Sequence, residues 1–163
     1  MEDKILVVFD DTNEKSDVIK DITGDRGFGD VIVTKHTLAS YCKDSLEKMF
    51  PDFSFVHVHS FFEFNDLLKE MENMSESTLI LHFFSHYVIS DTEKSSLSLK
   101  KLHFIEKTYR AVFQGKTAAL LFKSARHYGE FLKNALREDS TQSACAAVDE
   151  HFEIEGLIDI GIV

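Results

Sequence analysis

Lys4–Thr12 reads KILVVFDDT. Its apolar run, Ile5–Phe9, is continuous rather than alternating, and two carboxylates end it. A continuous run marks a strand buried on both faces, the kind found in parallel sheets flanked by helices. Leu79–Phe83, within TLILHFF, is the second such run. The two segments therefore predict neighbouring central strands of one sheet.

The rest of the chain alternates strand-like and helix-like segments. Helix spacing predicts helices over Asn13–Ile22, Thr37–Phe50, Phe61–Met74, Leu97–Lys107 and Tyr128–Leu136. Pro51 should stop the second of these. Further strands are predicted over Asp30–Thr34, Ser54–Ser60, Thr117–Phe122 and within Phe152–Val163. Ser140–Ala147 continues the last helix or forms a small-residue turn. Alternation of this kind builds βα units. The expected fold class is α/β, one Rossmann-like domain over residues 1–163. Its mainly parallel sheet should have about five or six strands, with helices on both faces in three layers.

Charge excludes some functions. The chain carries 28 Asp and Glu against 18 Lys and Arg, a net charge of −10. Phosphate backbones and anionic membranes need clustered cations, so neither nucleic acid nor a membrane surface is an expected partner. Small anions remain open, because a few local groups suffice to bind them. Cys42 and Cys145 follow no spacing motif and read as reduced core residues. The N-terminus lacks a basic region followed by a long apolar run, so no signal peptide is expected. No stretch reaches the ~20 apolar residues of a membrane span. A cytoplasmic protein is the expectation.

Ligands of parallel sheets bind at the carboxyl ends of the strands. Asp10, Asp11, Ser60, Ser85, His86 and Lys123 fall at or just past predicted strand ends. Adjacent carboxylates in that place suit Mg²⁺, which takes one or two carboxylates with water and phosphate oxygens. Asp11 or Thr12 could equally cap the following helix. His57 and His59 share one strand face, and His82 and His86 could converge near them. Imidazoles so placed suit Zn²⁺ and other transition metals, although packed or solvent-facing histidines fit the same pattern. Gly115-Lys116-Thr117 ends like a Walker loop, but Arg110 stands where the upstream glycine belongs and no strand is read before it. GDRGFG lacks dinucleotide-loop spacing and reads as a surface loop. Acidic runs such as Glu63–Asp66 and Glu70–Glu76 read as solvated helix faces.

Two family resemblances follow from these residues. TLILHFFSHYVISD, from Thr78 to Asp91, resembles the strand and loop that carry the metal-binding Gly-Asp of the sugar-phosphate nucleotidyltransferase fold. SLSLKKLHFIEKTYRAVFQGKTAALLFK is similar to that fold's next helix and strand. ARHYGEF is similar to its tyrosine-glycine turn, and DIGIV to the strand beyond. This order covers most of the chain. The functional positions depart from the family. FDDTNEK replaces its Gly-rich pyrophosphate loop and Arg, Ser85 and His86 occupy the Gly-Asp position, and Lys35 is the nearest candidate for its catalytic Lys. The second resemblance is to receiver domains of two-component signalling, through KILVVFDDTNEKSDVIKDI. It implies Mg²⁺ binding by Asp10 and Asp11. The phosphoacceptor Asp has no counterpart, since His59 or Ser85 stands there.

The expected function is a nucleotide-binding-type α/β domain that has lost catalysis and acts through a protein partner or a homodimer. The alternatives are a Mg²⁺-dependent enzyme transferring a nucleotidyl or phosphoryl group to or from a phosphorylated small molecule, and a receiver-like signalling domain. The candidate metal ligands are Asp10 and Asp11. The candidate ligand-binding residues are Thr12, Lys35, Ser85, His86 and Asp91. Phe61, Phe62 and Phe64 sit at a strand-to-helix junction where only some can face the core. At least one should be exposed.

Overall fold

A computed structural model describes residues 5–12, 32–33, 36–48, 53–74, 78–89, 108–145, 148 and 150–159. The helices expected over Asn13–Ile22 and Leu97–Lys107 lie outside the described residues, as do Lys35 and Asp91. In chain order the strands are β1 (Ile5–Asp10), β2 (Ile32–Val33), β3 (His36–Thr37), β4 (Ser54–Val58), β5 (Leu79–Phe84), β6 (Tyr87–Ile89), β7 (Tyr109–Phe113), β8 (Lys116–Phe122), β9 (His151–Glu153) and β10 (Leu157–Asp159). The helices are α1 (Leu38–Glu47), α2 (Glu63–Glu72), α3 (Ala125–Glu138) and the short α4 (Thr141–Ala144).

Six strands form one sheet in the order β4-β1-β5-β8-β7-β9. β1 is parallel to both β4 and β5, in the register Phe9↔His57 and Phe9↔Phe83. The two continuous apolar runs are therefore neighbouring interior strands. β8 runs antiparallel to β5 and β7, and β9 returns parallel to β7. Only β8 points the other way, so the sheet is mainly parallel. A receiver-type doubly wound sheet would not insert a reversed strand there.

Strand alternation gives the sheet two faces. Val8, His82 and Leu120 share one register row and one face. There Phe64 of α2 stacks on the His82 ring and Phe131 of α3 meets it edge-on, at 6.1 and 5.5 Å between centroids. Phe9, Phe55 and Phe83 form the other face. α1 belongs to this side, where the Lys43 ammonium stands 5.9 Å over the Phe55 ring. The result is a three-layer α/β fold.

Two of the helices start where the sequence supplies a side-chain acceptor. The Thr37 hydroxyl accepts from the Ser40 N–H at α1, and the Ser124 hydroxyl accepts from the His127 N–H at α3. α1 ends at Glu47, short of Pro51, and buries Leu38, Ala39, Cys42, Ser45 and Leu46 along one stripe. Among the described residues no helix is long and apolar enough to cross a membrane.

Two expectations need correction. Tyr109–Phe113 is a strand, which the sequence does not announce, because Arg110 interrupts its apolar pattern and a bulge between Ala111 and Val112 breaks its register. Gln114 and Gly115 join β7 to β8 with φ of 52° and 81°. A two-residue turn with both φ positive is the favoured hairpin connection. Gly115-Lys116-Thr117 is thus a hairpin turn entering a strand. Lys123 also moves. Because β8 is reversed, with Phe122 beside Ile80, Lys123 lies at the opposite edge of the sheet from Asp10.

Candidate functional site at the carboxyl edge of the parallel strands

From β1 the chain reaches β4 on one side and then crosses to β5 on the other. Such a reversal of strand order opens a crevice at the carboxyl ends, the usual ligand site of open α/β sheets. Here the ladder continues one residue past the strands. The Asp11 N–H donates to the Val58 carbonyl and the Ser85 N–H to the Asp10 carbonyl, both at 2.9 Å. The backbone of the acidic pair is held from both sides. Alternation then sends the two carboxylates to opposite faces.

Asp10 points under α2, α3 and α4 and is fully buried. Its Oδ1 accepts from the Thr12 N–H at 3.0 Å and the Thr12 hydroxyl at 2.5 Å. Its Oδ2 accepts from His82 Nε2 at 2.8 Å and the Thr141 hydroxyl at 2.7 Å. Burial by itself would raise the Asp10 pKa. The bonds from His82, Thr12 and Thr141 and the field of His82 outweigh it and hold the carboxyl below its ordinary value of 3.8. Behind it, His82 Nδ1 lies 2.7 Å from the Tyr128 hydroxyl, which burial and the Asp10 charge push well above the ordinary phenol range. Hydroxyl, imidazole and carboxylate in that order have the connectivity of a nucleophile triad. Tyr128, His82 and Asp10 are all fully buried, so this triad-like set presents no face to a substrate. It is a packed polar network.

Asp11 points to the α1 side. Its Oδ2 lies 2.9 Å from His57 Nε2. The His57 ring stacks on His59 at 3.8 Å and meets the edge of Phe9 at 5.1 Å. The His59 N–H donates to the Glu63 carboxylate at 2.9 Å. Beside Asp11 stands Ser85, 1 % exposed, whose hydroxyl has no hydrogen-bond partner among the described residues.

The structure brings some predicted residues together and separates others. Asp10 and Asp11 do not converge on one point. Asp10 spends both oxygens on protein donors, which leaves no lone pair for a cation. Thr12 donates to Asp10 through both its amide and its hydroxyl, and the helix that Asp11 or Thr12 is expected to cap lies outside the described residues. Ser85 lies next to Asp11, and His86 follows it with its ring 4.2 Å from Tyr87 and 6.4 Å from Phe84. His82 does not meet His86, because Asp10 and Tyr128 occupy its two nitrogens. Among the described residues no group of three or more His, Cys, Asp or Glu is placed to hold a metal ion. Tyr128 and Thr141 are not among the predicted site residues, and Tyr128 lies within a helix that begins at Ala125. Both sit in helical segments, Thr141 lies 131 residues from Asp10, and no local pattern links them.

No protein-family model and no curated protein matches the chain. Its fold does match solved structures. The CTP:phosphocholine cytidylyltransferase LicC from Streptococcus pneumoniae superposes with a TM-score of 0.53 at 10% identity, over 100% of this chain and 95% of that one. The nucleoside-diphosphate-sugar pyrophosphorylase from Vibrio cholerae gives 0.57 at 10% identity, over 96% of each chain. The bifunctional IspDF from Campylobacter jejuni gives 0.57 at 10% identity, over 95% of this chain and 50% of that one. The chain has the nucleotidyltransferase fold that TLILHFFSHYVISD and the segments after it resemble. At this identity the likeness is one of fold.

Proposed function

We propose that the chain is a nucleotide-binding α/β domain whose ligand lies at the carboxyl edge between β1 and β5, and that its chemistry is Mg²⁺-dependent nucleotidyl transfer. One observation carries this reading. A buried hydroxyl without a partner, Ser85 Oγ, stands beside a carboxylate, Asp11, at the strand-order reversal of a nucleotidyltransferase fold. Buried polar atoms are almost always paired, so an orphan at a ligand crevice is a place where a ligand atom completes the bonding. A phosphate oxygen accepting from the Ser85 hydroxyl would do so. Asp11 is the member of the acidic pair that fits a divalent cation, since Mg²⁺ is commonly held by one or two carboxylates with water and substrate phosphates. His86 and Thr12 border the same edge, and Lys35 and Asp91 are assigned to it by resemblance to the family.

Thermal unfolding with a nucleoside-triphosphate panel, with and without Mg²⁺, tests the proposal. At a hundredfold excess over the dissociation constant a bound nucleotide should stabilise the chain by about 2.7 kcal/mol. Asp11→Asn and Ser85→Ala should fold and lose that gain. An unchanged midpoint with every nucleotide would overturn the reading.

A second reading, association with a protein partner or a second copy, is favoured by Phe62. It is 83% exposed, while Phe64 is buried and Phe61 half-buried. A large exposed ring is compatible with an interface. Light scattering at micromolar concentration, on the parent and on Phe62→Ser, tests it, and a clean monomer of both would remove it. The net charge of −10 supports neither nucleic acid nor membrane as partner. Two free cysteines suit a reducing compartment, and we place the chain in the cytoplasm.

A further inference from the structure

We infer that Thr141 is a positioning residue for Thr12, just past β1, acting through the Asp10 carboxylate. The two oxygens of Asp10 are held from different parts of the chain. Oδ1 takes both Thr12 donors, and Oδ2 takes His82 and Thr141. A carboxylate pinned at both oxygens cannot rotate about its own axis without breaking a bond on each side. The orientation of the Thr12 amide is thereby tied to a hydroxyl 131 residues away.

The other donor to Oδ2 is itself fixed. In the arrangement that leaves no donor unpaired, the Tyr128 hydroxyl donates to His82 Nδ1 and His82 Nε2–H donates to Asp10. Thr141 is the donor of this set that depends on a short element. α4 has four residues and follows α3 through Asp139, which is left-handed with φ 54°. Ser140 N–H reaches back to the Ala135 carbonyl, and Cys145 Sγ lies 3.2 Å from the Thr141 carbonyl. The Thr141 hydroxyl joins this corner to the central strand. Displacement of the α3–α4 corner therefore reaches Thr12 through one carboxylate.

Amide hydrogen exchange tests the coupling. The reporter is the Thr12 amide, whose acceptor is Asp10, and the control is Leu120 in the middle of β8. Thr141→Val should speed exchange at Thr12 by about tenfold or more beyond any change at Leu120, the factor expected when a hydrogen bond to a charged group is lost. Thr141→Ser keeps the hydroxyl and should leave Thr12 as in the parent. Tyr128→Phe removes the group that orients His82 and should raise Thr12 exchange in the same direction. It also serves if Thr141→Val does not fold. Equal factors at Thr12 and Leu120, or Thr141→Ser behaving like Thr141→Val, would overturn the inference and reduce Thr141 to a packing residue. Weaker nucleotide binding by Thr141→Val is a further consequence that rests on the proposed function. If the parent bound no nucleotide, that function would fall while the exchange result would still decide the coupling.

Discussion

Asp10 and Asp11 are adjacent, chemically identical and bonded into the same ladder, yet they have opposite surroundings. Asp10 enters a closed network in which both oxygens, both His82 nitrogens and the Tyr128 and Thr141 hydroxyls are engaged. Asp11 faces the other side, where it meets a part-exposed His57 and stands beside a Ser85 hydroxyl that has no partner among the described residues. Strand alternation alone produces the split. The difference teaches where to look for function. A fully satisfied buried network rigidifies, because every departure leaves an unpaired group. A buried hydroxyl without a partner beside a crevice, as at Ser85, can complete its bonding with something from outside.

The largest expected effect breaks the closed side. Asp10→Ala would leave the Thr12 amide, the Thr12 and Thr141 hydroxyls and His82 Nε2 without their acceptor. Each buried donor left without an acceptor costs about 1–3 kcal/mol, so the summed loss should be several kcal/mol. Asp11→Ala removes a carboxylate that faces a part-exposed imidazole and should cost less, about 1–2 kcal/mol. Urea unfolding of the two variants measures the contrast, and equal losses would show that the network is not closed. The same contrast has a pH signature. A carboxyl whose folded pKa is lowered stabilises fully above its unfolded value and loses that contribution as pH falls through the folded value. Stability of the parent should therefore fall as pH drops below 3.8, and Asp10→Asn should be less stable at neutral pH with a shallower acid dependence.

Next in size is Tyr128→Phe. The ring still fills its place between Phe122 and Phe131, at 5.0 and 5.9 Å, so packing is kept. Only the hydroxyl is lost, leaving a buried imidazole nitrogen unpaired. The expected loss is about 1–2 kcal/mol in urea unfolding. Phe131→Tyr, which adds a hydroxyl without restoring that bond, should not rescue it.

A third effect is on reactivity. Burial pushes the Cys42 and Cys145 thiols up to about 12. Neither should react with a thiol reagent at pH 8 in the folded chain, and both should react in urea. Modification of the native chain at the rate of a free thiol would show that one of the two layers opens.

Much of this fold is legible in the residues. Ile5–Phe9 and Leu79–Phe83 fix the sheet centre, because only a strand covered on both faces tolerates an unbroken apolar run. Leu38, Cys42 and Leu46 fix α1, and Phe64, Leu67 and Met71 fix α2, because helix spacing places each set on one stripe. β7 is not legible, since Arg110 and a bulge disguise it, and its absence hid the reversal of β8 and misplaced Lys123. The candidate site is half legible. The position of Asp10, Asp11 and Ser85 at strand ends follows from periodicity. Their division between two faces follows only once the register is known. Beyond Thr12, the partners of Asp10 are His82 and Thr141, with Tyr128 joined through His82, and long-range partners leave no trace in local spacing.

The smallest expected effect is on the side of Asp11 and Ser85, and it sharpens the contrast most. Ser85 is buried, and its hydroxyl bears a desolvation cost with no hydrogen bond to offset it. Its backbone bond to Asp10 does not involve the side chain. Ser85→Ala should leave the ladder intact and the unfolding free energy unchanged, or raise it by up to about 1 kcal/mol. Asp10→Ala should do the reverse, with a large loss of stability, although the two residues are joined by a single hydrogen bond. A loss above about 1 kcal/mol in Ser85→Ala would mean that the hydroxyl already has a partner in the folded chain, and the reason for placing a ligand atom there would go. An unchanged or raised stability, together with loss of the nucleotide-dependent midpoint shift, would separate a group kept for binding from one kept for folding.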